Sequence, residues 1–367
     1  MEKSLIKKRI PFNLSGQHLA FDVNQSLFSS YKVDIGSQSL LNSLRKNKEI
    51  NYKKILDLGC GYGLLGIFLK KQNPNSEVQG VDRDLLAVKF AEHNSELNQC
   101  EIKSYGSLDY EKVKGKFNLI ICNFPAKAGL NAMKKFFWNA SKHLEEKGIF
   151  ATVLVKELKE DFEKIKREEI EVIYEEEKAG YFIYHLRFNK EISFEGDTYS
   201  RNEVEYKLDK KKYKMQTARN VPEFEKPSYE TLCVNELLKK LEAKEVTIIN
   251  PFQGHRALSA IHYLRPRKIN LISRDLLQIK FAKENLERNN FDKIEIQNEV
   301  EKGELLIWVC DKNEEMPIIL EKLKVFKTKF TKIIIAAEKK IPIRLIDKIN
   351  FKILDESKIE KSMAILI

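Results

Sequence analysis

The apolar run Phe117-Asn118-Leu119-Ile120-Ile121-Cys122 ends in Asn123-Phe124-Pro125-Ala126. An asparagine side-chain oxygen followed by an exposed main-chain carbonyl offers two acceptors that can hold an amine by its hydrogens. An exocyclic amine on a base or an amide has its lone pair delocalised into a π-system, so it attacks only when it is held in the right geometry. On its own, Asn-x-Pro is an ordinary turn. Its weight comes from lying downstream of Asp57-Leu58-Gly59-Cys60-Gly61-Tyr62-Gly63, a glycine-rich turn between an apolar run and a helical stretch. Glycines at 59, 61 and 63 let the backbone approach a ligand where a Cβ would collide with it. Asp82 follows Gly59 by 23 residues at the end of the next apolar run. A carboxylate in that place accepts hydrogen bonds from both hydroxyls of a ribose. Gly61-Tyr62-Gly63-Leu64-Leu65-Gly66 also fits the dinucleotide spacing, so the glycines alone leave a nicotinamide cofactor open. A dehydrogenase has no use for the Asn-Phe-Pro turn, which favours transfer of a group to a nitrogen.

Positioning these residues requires a scaffold, and the apolar pattern supplies one. Lys54 to Leu58 precedes a helical stretch from Leu64 to Lys71; Val78 to Val81 precedes Asp84 to Leu97; Asn118 to Cys122 precedes Asn131 to Leu144. Short apolar strands alternating with amphipathic helices predict an α/β fold, a doubly wound parallel sheet that binds ligands at the carboxyl ends of its strands. Asp57, Asp82 and Asn123 all fall at such ends.

The chain also repeats itself. Arg83-Asp84-Leu85-Leu86-Ala87-Val88-Lys89-Phe90-Ala91-Glu92-His93-Asn94 recurs 191 residues later as Arg274-Asp275-Leu276-Leu277-Gln278-Ile279-Lys280-Phe281-Ala282-Lys283-Glu284-Asn285. Two tandem Rossmann-like domains are expected, one over 1–192 and one over 193–367. The same shift carries the glycine turn onto Ile248-Ile249-Asn250-Pro251-Phe252-Gln253-Gly254, so Asp57 becomes Ile248, Gly59 Asn250, Gly61 Phe252, and Asp82 Ser273. The third strand of the second copy, Leu305 to Cys310, runs into Asp311-Lys312-Asn313 without an Asn-x-Pro turn. The second domain therefore reads as degenerate, kept for substrate placement or as a scaffold. Its basic pieces Lys210-Lys211-Lys212-Tyr213-Lys214 and Arg265-Pro266-Arg267-Lys268 have the composition that contacts phosphates.

Composition narrows the partners. A chain of 367 residues with 43% hydrophobic content can bury two cores, and its net charge of +11 is compatible equally with a nucleic-acid partner and with a mixed Lys/Glu surface. The five cysteines are scattered through apolar stretches, and the six histidines show no ligand spacing, so reduced core thiols and no metal are expected. The charged start, Met1 to Arg9, lacks a signal-peptide core, and no uncharged run reaches membrane-spanning length. A soluble cytoplasmic protein with no membrane partner is expected, a monomer whose tandem copies mimic a dimer.

With these residues in place, the first half resembles the class I S-adenosylmethionine-dependent methyltransferases, and within them the ribosomal-RNA guanine-N2 methyltransferases with a "methyltransferase small" domain. The resemblance takes in Leu27-Phe28-Ser29-Ser30-Tyr31-Lys32-Val33-Asp34-Ile35-Gly36-Ser37, similar to that family's cofactor-covering segment, then Lys127-Ala128-Gly129 and the strand Gly148 to Leu154. It implies that S-adenosylmethionine is the cofactor and that ribosomal RNA or a ribosomal particle is the partner. Asp57, Gly59, Gly61 and Gly63 would surround the methionine part, Asp82 the ribose, and Asp34 and Gly36 the cover. Ser107 or Asp109 would contact the adenine. Asn123, with the Phe124 carbonyl and Pro125, would hold the target nitrogen. Two departures stand out: Phe124 replaces a proline, and Ala126 replaces the family's stacking aromatic, so stacking would require the Phe124 ring to turn over the base. Tandem copies with one degenerate member occur in this group, whose best-known bacterial members keep the second copy active. Methylation of a protein glutamine amide uses the same kind of clamp, and a non-catalytic RNA-binding member of the fold is the further alternative.

Overall fold

The computed structural model describes residues 5–46, 52–310, 314–348 and 351–367, so residues 1–4 of the charged start and Asp311-Lys312-Asn313 lie outside the described residues. It forms two compact units, Met1–Tyr199 and Ser200–Ile367.

The first unit begins with a hairpin of β1 (Lys8–Leu14) and β2 (Gln17–Val23), followed by α1 (Ile35–Lys46). Then come β3 (Lys54–Leu58), α2 (Leu64–Gln72), β4 (Glu77–Asp82), α3 (Leu85–Leu97), β5 (Lys103–Gly106), β6 (Phe117–Asn123) and α4 (Leu130–His143). The unit closes with β7 (Leu144–Val155), α5 (Lys159–Ile165), β8 (Ile170–Lys178) and β9 (Tyr181–Phe188). Its seven-stranded sheet runs β5-β4-β3-β6-β7-β9-β8, with β5 to β7 parallel and β9 antiparallel to both β7 and β8. The order reverses between β3 and β6, so a cleft opens beyond their carboxyl ends. Ile121 is in register with Asp57, which brings Asn123 level with the start of the glycine turn.

Separate apolar clusters cover the two faces of this sheet. One holds Ile55, Ile67, Phe68, Phe90 and Ile121 under the hairpin, α1, α2 and α3; the other holds Leu56, Ile120, Phe137, Phe150 and Phe162 under α4 and α5. Alternate residues of β3 and β6 thus feed opposite cores, as expected of strands buried on both faces. Asp84 starts α3 by accepting the Leu86 N–H at 2.9 Å.

The second unit repeats the plan: β10 (Ser200–Leu208), β11 (Lys211–Ala218), α6 (Tyr229–Leu238), β12 (Glu245–Ile249), α7 (His255–Leu264), β13 (Lys268–Ile272) and α8 (Leu276–Arg288). It continues through β14 (Ile294–Ile296), β15 (Gly303–Val309), α9 (Met316–Lys327), β16 (Phe330–Glu338), α10 (Lys340–Ile346), β17 (Asp355–Ile359) and β18 (Ser362–Leu366). Its sheet order, β14-β13-β12-β15-β16-β18-β17, matches the first sheet strand for strand. The repeat also takes in the hairpin and helix ahead of each sheet, which sequence comparison did not reveal.

Two asparagines of the recurring segment explain what that segment is for. Asn94 accepts the Asp22 N–H at 2.8 Å and donates to the Asp22 and Tyr62 carbonyls at 3.0 and 2.9 Å. Asn285 accepts the Gln216 N–H at 2.7 Å and donates to the Gln216 and Gln253 carbonyls, both at 2.8 Å. One turn later, Asn98 and Asn289 bond both main-chain groups of Ala20 and Lys214 in the same way. In each unit the third helix therefore ties a hairpin strand to the rest of the domain, and the Asn94 and Asn285 bonds reach the turn after the first sheet strand as well.

Candidate active site

Gly59, Gly61 and Gly63 have φ of +79°, +54° and +92°, in the left-handed region where a side chain adds strain. A Cβ on Gly59 or Gly61 would meet nothing within 4 Å, so the space above them is open. A Cβ on Gly63 would lie 2.9 Å from Ile67 Cδ1 and 3.2 Å from Ala91 Cα, so this glycine serves the packing of α2 on α3. The turn is pinned to β4, because the Gly59 and Cys60 N–H groups both donate to the Val81 carbonyl at 2.8 and 3.0 Å.

Two carboxyls lie beneath and beside this turn. Asp57 is buried; its Oδ2 accepts the Gly66 N–H at 2.8 Å, and its Oδ1 has no hydrogen-bond partner among the described residues. Burial pushes its pKa up to about 7 against the pull of the Gly66 N–H, and nearby Asp82 adds to the rise. Gly66 is a glycine for a matching reason: its Cβ would sit 3.1 Å from Asp57 Oδ2. Asp82 accepts the Gly61 N–H through Oδ2 and the Asp84 N–H through Oδ1, both at 2.9 Å. Burial raises its pKa to about 6, with those two N–H groups opposing. Two carboxyls raised toward neutrality, Asp57 buried and Asp82 half-buried, lie beside an open turn and form an anionic floor that a cationic ligand would favour.

Ser107 and Asp109 follow β5 and are both buried. The Ser107 hydroxyl donates to the Asp109 carbonyl at 3.0 Å and accepts the Lys112 N–H at 3.1 Å, so it is committed within its own loop. The Asp109 carboxylate accepts from the Tyr110 N–H and from the Tyr199 hydroxyl at 2.5 and 2.9 Å.

Asn123 ends β6 with its side chain oriented by the residues around it. Its Nδ2 donates to Asp34 Oδ2 at 3.0 Å and to Ser37 Oγ at 2.9 Å. An ionised carboxylate only accepts, so Asp34 fixes which end of the amide is nitrogen and turns Asn123 Oδ1 to the other side. Asp34 is itself held: Oδ2 also accepts the Ser37 N–H at 2.8 Å at the start of α1, and Oδ1 accepts the Tyr181 hydroxyl at 3.0 Å. Gly36 makes this possible, because a Cβ there would come within 2.8 Å of the Tyr181 ring. Asp34 and Gly36, expected over the cofactor, build the support behind Asn123. Ser37 and Tyr181 were not expected in the site. Tyr181 lies 147 residues from Asp34 in a hairpin, and no local signal marks it.

Phe124 and Pro125 form the turn itself. The Phe124 N–H donates to the Val153 carbonyl at 3.1 Å, and the Pro125 carbonyl accepts the Ala128 N–H at 3.0 Å. The Phe124 ring does not turn outward. It is buried edge-on against Phe136 and Phe137 of α4, with centroids 5.4 and 5.9 Å away, and burying so much apolar area outweighs exposing it. The missing stacking aromatic at Ala126 is therefore not replaced by Phe124. Phe28 and Tyr31, in the segment leading to Asp34, are strongly exposed aromatics of this unit.

The second unit keeps the backbone of the turn but not its chemistry. Asn250, Phe252 and Gly254 hold φ of +57°, +52° and +98°, close to their counterparts in the first unit. The fully buried Arg256 guanidinium sits 4.2 Å from the Phe252 ring centroid, donates to the Asn250 carbonyl, and bonds Thr231 Oγ1 at 3.1 Å. Glu223 accepts from Ser228 Oγ and Thr231 Oγ1 at 2.7 and 2.5 Å. Burial alone would raise its pKa, but the Arg256 charge and His255 outweigh this and hold it below the usual carboxylate range. Gln253 fastens the same turn to the Ala218 and Val221 carbonyls at 3.1 and 2.9 Å. Where the first unit has open space, the second has a buried ion pair and a ring.

Cys60, Cys100, Cys122 and Cys233 form no disulfide, and among the described residues no group of three His, Cys, Asp or Glu side chains is placed to hold a metal. No helix among the described residues is long and apolar enough to cross a membrane.

The shared sheet order defines two tandem Rossmann-like folds of the class I methyltransferase type, and only the first keeps the glycine turn and the strand-end carboxylates. Residues 18–185, within the first unit, match the family described as Methyltransferase small domain. Ribosomal RNA small subunit methyltransferase C of Photobacterium profundum is 34% identical over 136 residues, 37% of this chain and 38% of that protein. Its namesake in Aeromonas hydrophila is 34% identical over 131 residues, 35% and 37% of the two chains. The chain thus spans under two fifths of the length of these curated relatives. A T. thermophilus 16S rRNA N2 G1207 methyltransferase, solved with AdoMet and guanosine, superimposes with a TM-score of 0.69 over 100% of this chain and 99% of its own, at 13% identity. At that identity the likeness establishes the two-domain fold.

Proposed function

We propose that the chain is a cytoplasmic S-adenosylmethionine-dependent N-methyltransferase whose first unit methylates an exocyclic amine of RNA, guanine N2 in ribosomal RNA. The observation that carries this reading is the amide of Asn123: Asp34 and Ser37 hold its nitrogen, leaving Oδ1 as an acceptor at the carboxyl edge of the sheet, level with the glycine turn. The names of the relatives, small-subunit rRNA methyltransferases, support the substrate class.

The residues fit the cofactor. Gly59 and Gly61 leave open space, Asp57 and Asp82 supply an anionic floor, and one oxygen of Asp57 has no partner among the described residues. When bound, the cofactor supplies an electrophilic methyl on a sulfonium. The protein's part is orientation: Asn123 Oδ1 and the Phe124 carbonyl would accept the two amine hydrogens and so turn the nitrogen lone pair toward the methyl group. No strong base is required, because the methylated nitrogen is cationic and releases its proton to water. A base paired in a stem must first leave the stack, at a cost of a few kcal/mol.

Incubation with labelled cofactor and ribosomal fractions, followed by nucleoside analysis, should show label in N2-methylguanosine. The Asn123→Ala variant should lose about two to three orders of magnitude in turnover, as when one oriented polar group is removed from a reaction centre, with cofactor affinity nearly intact. Equal turnover in that variant rejects the assignment.

A further inference from the structure

The two basic pieces of the second unit, some fifty residues apart in the chain, meet at one cavity. A hollow of about 390 Å³ is lined by Lys211, Tyr213, Ile261, His262, Arg265, Pro266 and Phe291. Lys211 begins β11, Arg265 follows α7 in a left-handed conformation with φ of +50°, and both are exposed. Beside them Lys210, Lys214 and Arg267 are also exposed, and among the described residues none of these five cations is in an ion pair, whereas neighbouring Lys212 and Lys268 pair with Glu205 and Glu295. Asp209, next to Lys210 in the chain, is engaged with His262 Nε2 at 2.9 Å. The walls are built: the Tyr213 hydroxyl meets His262 Nδ1 at 3.1 Å, Tyr213 is buried, and Lys211 Nζ lies 4.7 Å from its ring centroid. Phe291 adds a second, partly exposed ring.

The repeat provides an internal control. Asn98 and Asn289 grip Ala20 and Lys214 identically, which aligns Lys211 with Gln17 and Tyr213 with Leu19. The 191-residue offset aligns His262 with Lys71, Arg265 with Pro74 and Phe291 with Cys100. The first unit has one cation and no aromatic ring at these five positions, so the basic, aromatic character belongs to the second copy and is no requirement of the fold.

We propose that this cavity is a binding site for a nucleotide of single-stranded RNA, with a phosphate held by Lys211 and Arg265 and its base stacked on Phe291. Unpaired cations around a ring-lined hollow match the two terms that hold single strands, phosphate neutralisation and base stacking. The site rests on RNA being the substrate of the first unit and gives the second copy a task its filled glycine turn cannot perform.

The test uses the full chain, without cofactor, and a labelled ten-nucleotide single-stranded RNA followed by fluorescence anisotropy across a salt series. The double variant Lys211→Ala/Arg265→Ala should bind on the order of tenfold more weakly, and its slope of log affinity against log salt should fall by about 0.7, for the one phosphate the two cations share. Phe291→Ala should weaken binding about fivefold or more with the slope unchanged, since stacking releases no counterions. Unchanged melting temperatures check that these variants fold. Wild-type affinity and slope in the double variant overturn the site, as does an oligoglutamate peptide that binds it as tightly as the RNA. Pocket-dependent RNA binding without methyl transfer to any ribosomal fraction keeps this site and removes the catalytic reading of the first unit.

Discussion

The two glycine-type turns of this chain share a backbone and differ in what lies above it. Gly59 and Gly61 sit under open space, whereas Asn250 and Phe252 hold nearly the same left-handed φ angles with side chains attached, and Arg256 and Glu223 lie buried nearby. What both copies retain is what the domain needs in order to close: an Asp cap on the third helix, the glycine that packs the second helix against the third, and two asparagines that tie the hairpin down. What only the first retains is Asp57, Asp82 and Asn123. Duplication thus separates residues that serve the fold from residues that serve chemistry, without an alignment of relatives.

The sharpest way to break the comparison is to copy the second turn into the first. Gly61→Phe places a ring where Phe252 stands, at φ +54° against +52°. The backbone already accepts a side chain there in the other copy, so the stability cost should be about 1 to 2 kcal/mol, the usual left-handed strain. Cofactor affinity, measured by calorimetry, should fall at least about a hundredfold, as expected when a ring takes the ligand's place. Normal binding would mean that the first turn is not the grip.

Next in size is a symmetric pair, Asn94→Ala and Asn285→Ala. Each removes three hydrogen bonds and leaves buried main-chain groups unsatisfied, so each should cost about 2 to 4 kcal/mol in denaturant unfolding. Similar losses from both would confirm that the recurring segment is structural. A large loss from Asn94 alone would mean that its role belongs to the catalytic copy.

Much of this organisation is legible in the residues themselves. The 191-residue repeat reveals the tandem domains, and strand-end positions locate Asp57, Asp82 and Asn123, because period and punctuation are local properties. The support behind Asn123 is not local: Tyr181 reaches Asp34 across 147 residues, and only the fold brings them together. The inward ring of Phe124 escaped for a related reason, since a clamp position suggests an outward aromatic while the apolar face of α4 decides otherwise. The plug in the second turn hides behind an ordinary Arg and Glu, 33 residues apart, whose pairing shows only when both are buried.

That non-local support yields a smaller, more specific effect. In Asp34→Asn the new amide can face Asn123 with either end, so the orientation of Asn123 is no longer enforced. Turnover should fall about ten- to a hundredfold through misorientation of the acceptor, with the KM for cofactor shifting far less. Tyr181→Phe should give a milder loss of the same kind. A change confined to cofactor KM would return Asp34 to the cofactor cover alone.

The last contrast concerns protons, and the two units should answer pH with opposite signs. Asp57 is raised to about 7 by burial, so the stability it permits is full below its unfolded pKa near 4 and is lost as pH rises through about 7; Asp82, raised to about 6, acts the same way. Glu223 is depressed, so its contribution is present above its unfolded value of about 4.3 and is lost as pH falls below it. Rising pH should therefore weaken the cofactor-free first unit, and acid the second. Trp138 lies in the first unit and Trp308 in the second, so a Trp→Phe change at either isolates the fluorescence of the other. Asp57→Asn should stabilise the first unit by about 1 to 3 kcal/mol near pH 8, an advantage that fades toward about pH 5 where the wild-type carboxyl is already protonated. The second unit, with Ile248 in the same place, should show no such gain; a pH-independent effect of Asp57→Asn would mean that the carboxyl is not held near neutrality and that the anionic floor is overdrawn.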